Sequence, residues 1–285
     1  MKDILQNGTQ KGSTGKIPCT VAVLTHNSDA TLKAALESVK DFAEIIVCDG
    51  ASTDRTLDIA RAYGARILPQ DPVFKDQEGK IKDFAGVHNQ ALQASSFDWH
   101  FYLDSDELMT PALTDEIHSS ILKNIGMKSG EQESKSEVYW VDRKYTIDGK
   151  VVECAATYPT RQMRFFHKNA VTEFIKPIHE RINPKPDAVI KTTKNFMLVP
   201  VSPDPLVWRE KWKHYIELEV RRRGKISLWQ WLAVCFENLK VSLLYAIRYK
   251  MILLFCHGKT RMSWRLEWER HVYHWNLCRA LFKSI

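Results

Sequence analysis

Two acidic clusters constrain this chain most. Asp49 in VCDGASTDRT and the triplet Asp104, Asp106 and Glu107 in FYLDSDEL each follow a strand-like apolar run. IPCTVAVLT, AEIIVCD and DWHFYLD read as strands, the first of them a continuous apolar run of the kind buried on both faces of a parallel sheet. Helical periodicity fills the gaps. Leu32, Ala35, Leu36 and Val39 share one face behind a cap at Ser28 or Asp29. Leu57 and Ala60 continue a helix capped by Ser52 or Thr53 that stops near Gly64. RILP is a short third strand, a helix is expected from about Gly79 to Ala94, and Thr110-Pro111 is a strong helix start. Alternating units of this size predict an α/β fold, a Rossmann-like, mostly parallel sheet flanked by helices. In such sheets ligands bind outside the carboxyl ends of the strands, where these acids lie.

The character changes after Lys123. IGMKSGEQESKSE reads as a polar loop; VYWVDRKYTI, the Asp148-Gly149 turn and KVVECA read as a hairpin. RQMRFFH and AVTEFIKPIHERI can supply further strands, giving a mixed edge beside the parallel half. The prolines between Asn183 and Pro205 predict a linker or rigid wrap, because Pro is a poor central-strand residue. The expected organisation is a flexible head over 1–16, a body over 17–204 and a helical appendage over 205–285.

The appendage differs in charge as well as pattern. Residues 205–285 hold 16 Lys+Arg against 6 Asp+Glu, although the whole chain of 285 residues has a net charge of only +7. Seven of the nine tryptophans lie there too, at 208, 212, 229, 231, 264, 268 and 275. A basic, Trp-rich segment points to an anionic membrane surface. The alternative is a soluble helical cap or a homodimer seam. Glu237, Lys240, Arg248 and Lys250 interrupt the 227–256 stretch before it reaches the length of a span, so it is expected to lie in the interface or to pack as a helical hairpin. No nucleic-acid-binding motif accompanies the charge. The six cysteines form no CxxC pair and the first sixteen residues are polar, so the expectation is a reduced, cytoplasmic protein, peripherally associated with the inner face of the cell membrane.

The acids suggest metal and phosphate chemistry. A hard divalent cation wants oxygen ligands, and a bound diphosphate supplies several, so one or two carboxylates suffice. Asp104 and Asp106 share a face if the backbone stays extended. The other reading is an acidic loop leading into a helix. Asp49 can accept from a base or ribose, or simply cap its turn.

The runs VAVLTHNSDATLKAALESV, IIVCDGASTDRTLDIARAYGARI, AGVHNQALQAS and FYLDSDE, in this order over about residues 17–115, resemble the start of the family 2 glycosyltransferases. That resemblance implies a GT-A fold and an inverting enzyme using a nucleoside-diphosphate sugar, with UDP-hexose the expected donor and Mn2+ or Mg2+ the expected metal. It implies that Thr25 and Asn27 border the nucleotide pocket, that Asp49 contacts uracil or its equivalent, and that Ser52 and Asp54 support the same loop. Asp104 and Asp106 correspond to the family's DxD element, Asp106 for metal and Asp104 for ribose and metal. Lys82 and Asn89 correspond to positions that contact donor or acidic groups.

RQMRFFHKNAVTEFIKPIHERI is similar to a segment of the branch that includes lipopolysaccharide core glucosyltransferases, which implies a glycolipid or envelope-glycan acceptor. The Glu-Asp pair common in the family is absent here, and the resemblance makes Glu180 the candidate base. His179 is a candidate for metal binding, for orienting that base or for phosphate. Arg161 and Arg164 are three apart, on opposite faces of a regular strand; either can meet donor phosphate or remain on a solvated face, and at most one faces the site unless a bulge intervenes. Two other readings stand beside the transferase. One is a non-catalytic sugar-nucleotide-binding or scaffold protein of the same fold, and the other a nucleotidyltransferase, which the lack of a Gly-rich, Lys-bearing loop after the first strand disfavours.

Overall fold

A computed structural model describes residues 15–77, 79–126, 136–178 and 180–285. Most of the expected head, most of the polar loop after Lys123, and His179 lie outside the described residues. The chain divides into two compact units, one running to Arg143 and resuming at Thr160–Val199, the other made of Lys144–Pro159 and Pro200–Ile285.

The first unit is built on β1 (Ile17–Thr25), which pairs in parallel with both β2 (Phe42–Asp49) and β4 (Trp99–Asp104). Being central, β1 buries both faces, and Val21, Ala22 and Val23 are fully enclosed. This is why its sequence is a continuous apolar run. β3 (Arg66–Pro69) extends the parallel half beyond β2. On the other side β8 (Thr160–His167) runs antiparallel to β4, followed by β6 (Glu137–Ile147), β11 (Val189–Pro200) and β5 (Leu108–Met109). The helices are α1 (Asp29–Ser38), α2 (Thr56–Ala62), α3 (Phe84–Ala94) and α4 (Pro111–Gly126). Leu32, Ala35 and Leu36 from α1 and Leu113, Ile117 and Ile121 from α4 join Val21, Val23, Phe101 and Phe165 in one core. β9 (Val171–Ile175) and β10 (Arg181–Pro184) form a separate antiparallel pair. The α/β expectation with its mixed edge describes this unit.

Local chemistry moved several boundaries. The third helix starts at Phe84, not near Gly79, because the Asp83 carboxylate accepts from the Gly86 amide at 2.9 Å and caps it there. A Cβ on Gly86 would lie 2.3 Å from the Phe74 ring, so the glycine lets that ring close on the helix. Helix α2 starts at Thr56, later than a Ser52 or Thr53 cap requires, because Ser52 is held by Asp49. The expected linker is also corrected, since its centre is the strand β11. Prolines 184, 186, 200, 203 and 205 leave Val189–Val199 free of proline, so that stretch keeps every amide a strand needs.

The second unit holds the far end of the β6 hairpin, with β7 (Lys150–Val151) and the positive-φ turn Asp148-Gly149, and three helices. They are α5 (Pro205–Arg223), α6 (Leu228–Phe255) and α7 (Trp264–Phe282). Asp204, Ser227 and Ser263 cap them, Ser227 in a reciprocal capping box with Gln230. The 227–256 stretch is one continuous helix, and among the described residues no helix is long and apolar enough to cross a membrane. Arg209 on α5 grips Glu269 on α7 with two hydrogen bonds, of 2.6 and 2.7 Å.

Cys154 and Cys256 are joined by a disulfide, where six reduced thiols were expected. Backbone bonds from Glu153 and Cys154 to Thr260, and from Met262 back to Cys154, bring the end of α6 to the hairpin. Neither their separation of 102 residues nor a local motif signals the pair. Purified without reductant, the denatured chain is therefore expected to alkylate at four cysteines, Cys19, Cys48, Cys235 and Cys278, and at six after reduction, as read by intact mass.

Candidate active site

Register assembles the acids. Thr25 lies opposite Asp49 and Leu24 opposite Asp104, so the carboxyl ends of β2, β1 and β4 present Asp49, Thr25 and Asp104 side by side. Thr25 is buried, and its hydroxyl donates to Asp49 Oδ1 at 2.9 Å. The other Asp49 oxygen accepts from the Ser52 amide at 2.9 Å, and the Ser52 hydroxyl donates to Oδ1. Asn27, at φ 48°, donates its amide to Ser52 Oγ and accepts from the Thr53 amide through Oδ1, both at 2.9 Å. Asp54 lies just before α2 and accepts from the Thr56 and Asp29 amides. Thr25, Asn27, Asp49, Ser52 and Asp54 thus form one cross-linked pair of loops. Alone, each is an ordinary turn residue; together they hold a carboxylate rigid at the sheet edge.

The acidic triplet divides by environment. Glu107 is fully buried, and contacts from Arg143 and Arg164 converge on it. It also accepts the Asp104 amide at 3.2 Å. Asp104 meets Arg164 at 3.0 Å yet leaves 43% of its side chain exposed. Asp106 is half-buried. Burial pushes the Asp104 carboxyl up, but the Arg164 guanidinium, helped by Arg143, outweighs it and holds the group well below the usual carboxylate range. Burial pushes the Glu107 carboxyl up, against the opposing pull of the Arg164 and Arg143 guanidinium groups.

Arg164 reaches these acids through a bulge. In the β6–β8 ladder Tyr139 pairs with Phe165 and Trp140 with Met163, so the register skips Arg164. Its side chain is 1% exposed and stacks on the Tyr102 ring at 4.2 Å. Arg161 instead pairs with Asp142 at the surface. Of the two, only Arg164 faces the acids.

Glu180 keeps 23% of its side chain exposed and lies 3.9 Å from His88 Nε2. Burial, reinforced by the negative charge of Asp104, raises its pKa. His88 is buried between the rings of Phe174 and Tyr102, each 4.8 Å away, and burial lowers its pKa to about 4. Asn89 exchanges two hydrogen bonds with the Phe174 backbone, which ties α3 to β9. Lys82 is exposed just before the α3 cap. The sequence marks Glu107 as part of the acidic triplet and Arg164 as a candidate for donor phosphate, but not Arg143, which joins them, nor His88. Their one visible signal is a charged or polar residue inside an otherwise buried strand or helix.

His88 carries a pH prediction. Unfolded, it binds a proton below about 6.5; folded, it stays neutral until about 4, so its stability contribution is present above 6.5 and lost as pH falls toward 4. Urea unfolding at pH 7 and 4.5 is expected to show a loss on the order of 2 kcal/mol from this group. His88→Phe is expected to flatten that part of the profile.

Among the described residues, no three His, Cys, Asp or Glu are placed to hold a metal by themselves. The oxygen donors that do reach the edge, Asp106 and the exposed part of Asp104, suit a hard cation whose remaining ligands come from a diphosphate.

Residues 20–124 match the profile described as Glycosyl transferase family 2. A TPR repeat-containing protein of Synechococcus elongatus is 28% identical over 222 residues, 75% of this chain and 48% of that protein. The lipopolysaccharide core biosynthesis glycosyltransferase LpsC of Rhizobium meliloti is 31% identical over 98 residues, 34% of this chain and 35% of that protein. The chain thus spans about half, or less, of the length of these relatives. Among solved structures, Staphylococcus aureus TarS 1–349 in complex with UDP-GlcNAc aligns over 71% of this chain and 66% of that one, at 17% identity and a TM-score of 0.44.

Proposed function

We propose that this chain, whose residues 20–124 match the glycosyltransferase family 2 profile, moves a hexosyl group from a nucleoside-diphosphate sugar, UDP-hexose first among them, to an acceptor hydroxyl with inversion. The observation that carries the reading is the convergence of Asp49, Thr25 and Asp104 at adjacent strand ends, with Asp106 beside them. Asp49, held by Thr25 and Ser52, is aligned to accept from the base of the nucleotide, and Asn27 and Asp54 keep that loop in place. Asp104, fixed by Arg164, meets the ribose. Asp106 and Asp104 would hold Mn2+ or Mg2+, which when bound takes up charge on the diphosphate.

Glu180 is the proposed base. A raised carboxyl pKa brings it closer to the operating pH, where a general base works best. As the acceptor oxygen bonds to the anomeric carbon, the bond to the diphosphate breaks, the nucleoside diphosphate leaves with the electron pair, and the hydroxyl proton passes to Glu180. Buried His88, neutral at pH 7, lies within reach of Glu180 without placing a like-charged acid beside it.

The acceptor we propose is a lipid-linked or envelope glycan, of the class to which the lipopolysaccharide core branch belongs. Two features of the second unit support a bilayer-facing enzyme. Leu232, Phe236, Leu239, Leu243, Ile247, Met251 and Leu254 recur every three or four residues along α6 and are largely exposed to water, and the 205–285 region is strongly basic. Such a helix suits the interface of an anionic membrane, here the inner face of the cell membrane. Sedimentation with phosphatidylglycerol vesicles is expected, weakening as salt rises; salt-independent self-association without vesicles would favour a homodimer seam instead.

Turnover is tested by incubating the full chain with a panel of nucleoside-diphosphate sugars and membrane lipid extract, with Mn2+ or Mg2+ and again with EDTA. Metal-dependent release of nucleoside diphosphate from one donor is expected. Binding of a donor without any release would instead support a sugar-nucleotide-binding or scaffold role.

A further inference from the structure

A groove of about 860 Å³ lies between α6 and α7, inside the second unit. The helices run antiparallel, since Trp231 meets Cys278, Asn238 meets His274 and Ser242 meets His271. Those contacts occupy the polar groups of Trp231, Asn238, Ser242, His271 and His274. Trp231 donates Nε1–H to the Cys278 carbonyl at 2.9 Å, and the Asn238 side chain bonds both His274 and the Val234 carbonyl. What is left to face the groove is largely carbon, from Leu239, Val272, Trp268, Trp275 and Phe282. Trp275 is 71% exposed and Trp268 57%. A groove lined mostly by carbon with a few polar groups at its margin has the usual form of a small-molecule site.

Shape and charge narrow the occupant. From Trp231 to Ser242 the groove follows α6 for roughly 16 Å, the length of an alkyl chain rather than of a compact ring. The volume falls in the ordinary range of small-molecule sites. Arg279 belongs to the lining, and Lys225 and Lys283 are the chain neighbours of Ile226 and Ser284, whose amide and carbonyl bond each other at 3.2 Å beyond Phe282. Exposed Arg279, with exposed Lys225 and Lys283 on the segments joined by that bond, suits a phosphate, which offers several acceptor oxygens and more than one negative charge.

We propose that the α6–α7 groove binds the alkyl chain of a single-chain, phosphate-headed lipid, with the phosphate at Arg279, Lys225 and Lys283. The proposal goes beyond the transferase reading and involves no turnover, so either can fail alone. The groove tryptophans report occupancy directly.

Dodecyl phosphate, kept below its micelle concentration, is titrated into the full chain and tryptophan emission is followed. Saturable binding with one site per chain is expected. Val272→Phe, which fills the groove, is expected to weaken it about tenfold or more, the equivalent of about two buried methylenes. Arg279→Gln, a substitution at an exposed position with circular dichroism as its folding control, is expected to weaken it several-fold, and dodecyl maltoside is expected to bind at least tenfold more weakly than dodecyl phosphate. Four results would overturn the proposal. They are no saturable binding below the micelle concentration, equal binding of the maltoside, affinity unchanged in Arg279→Gln, and a stable dimer that dodecyl phosphate neither enters nor dissociates.

Discussion

Asp106→Ala is expected to lower metal-dependent nucleoside-diphosphate release by about a thousandfold with folding intact. Asp106 is half-buried at the strand edge, outside the buried core, so trimming it creates no cavity. The loss falls on the reaction instead. Charge stabilisation on a departing diphosphate is worth several kcal/mol, and each 1.36 kcal/mol is tenfold in rate. Thermal unfolding should be nearly unchanged, which separates this result from that of a destabilised variant. Wild-type release in EDTA should fall to the level of the variant with metal. If the variant keeps more than about a tenth of the activity, Asp106 does not hold the metal and the site as proposed is wrong.

Arg164→Leu is expected to act through stability. Arg164 is the buried cation between Asp104 and Glu107, and Glu107 is fully enclosed. Removing one partner of a buried ion pair leaves an uncompensated charge, at a cost of about 3–5 kcal/mol. Arg143 still contacts Glu107, which places the expected loss at the lower end of that range. Urea unfolding measures it. The double variant Arg164→Leu, Glu107→Gln should recover part of the loss, because the enclosed side chain that has lost one of its two cations is then neutral. Arg164→Lys should not restore the wild type, since a point ammonium cannot reproduce the forked contacts to Asp104, Glu107 and the Tyr102 ring. A loss below about 1 kcal/mol for Arg164→Leu would mean that Arg143 alone compensates Glu107.

These two variants mark where sequence reasoning succeeds and where it stops. Asp49, Asp104 and Asp106 stood out because each follows a strand-like apolar run, and the polarity switch at a strand end is local information. Arg164 was noticed but its role was not settled, since a spacing of three from Arg161 allows either arginine to face the acids. The bulge decided it by removing Arg164 from the ladder. Asn89 resembles a ligand-contact position, and in the fold its side-chain amide exchanges two hydrogen bonds with the Phe174 backbone, 85 residues away. Contacts at such separation depend on how elements dock, and periodicity within either element carries no trace of them. The same holds for Cys154 and Cys256, which are brought together by backbone bonds to the 260–262 turn.

By itself the sequence determined what depends on near neighbours along the chain. Alternating apolar runs and helical faces specified the α/β unit, Thr110-Pro111 marked a helix start, and the basic, tryptophan-rich end announced a region of different character. Only the tertiary structure decided which carboxylate is solvent-facing and which is enclosed. Asp104, Asp106 and Glu107 are nearly adjacent, and their exposure differs because Arg143 from β6 and Arg164 from β8 converge on one of them and not equally on the others. It also made a strand of a stretch bracketed by prolines and left the apolar row of α6 uncovered. The physical reason is the same in each case: burial and electrostatic pairing are set by what arrives from elsewhere in the chain, while propensity and polarity pattern act on neighbours.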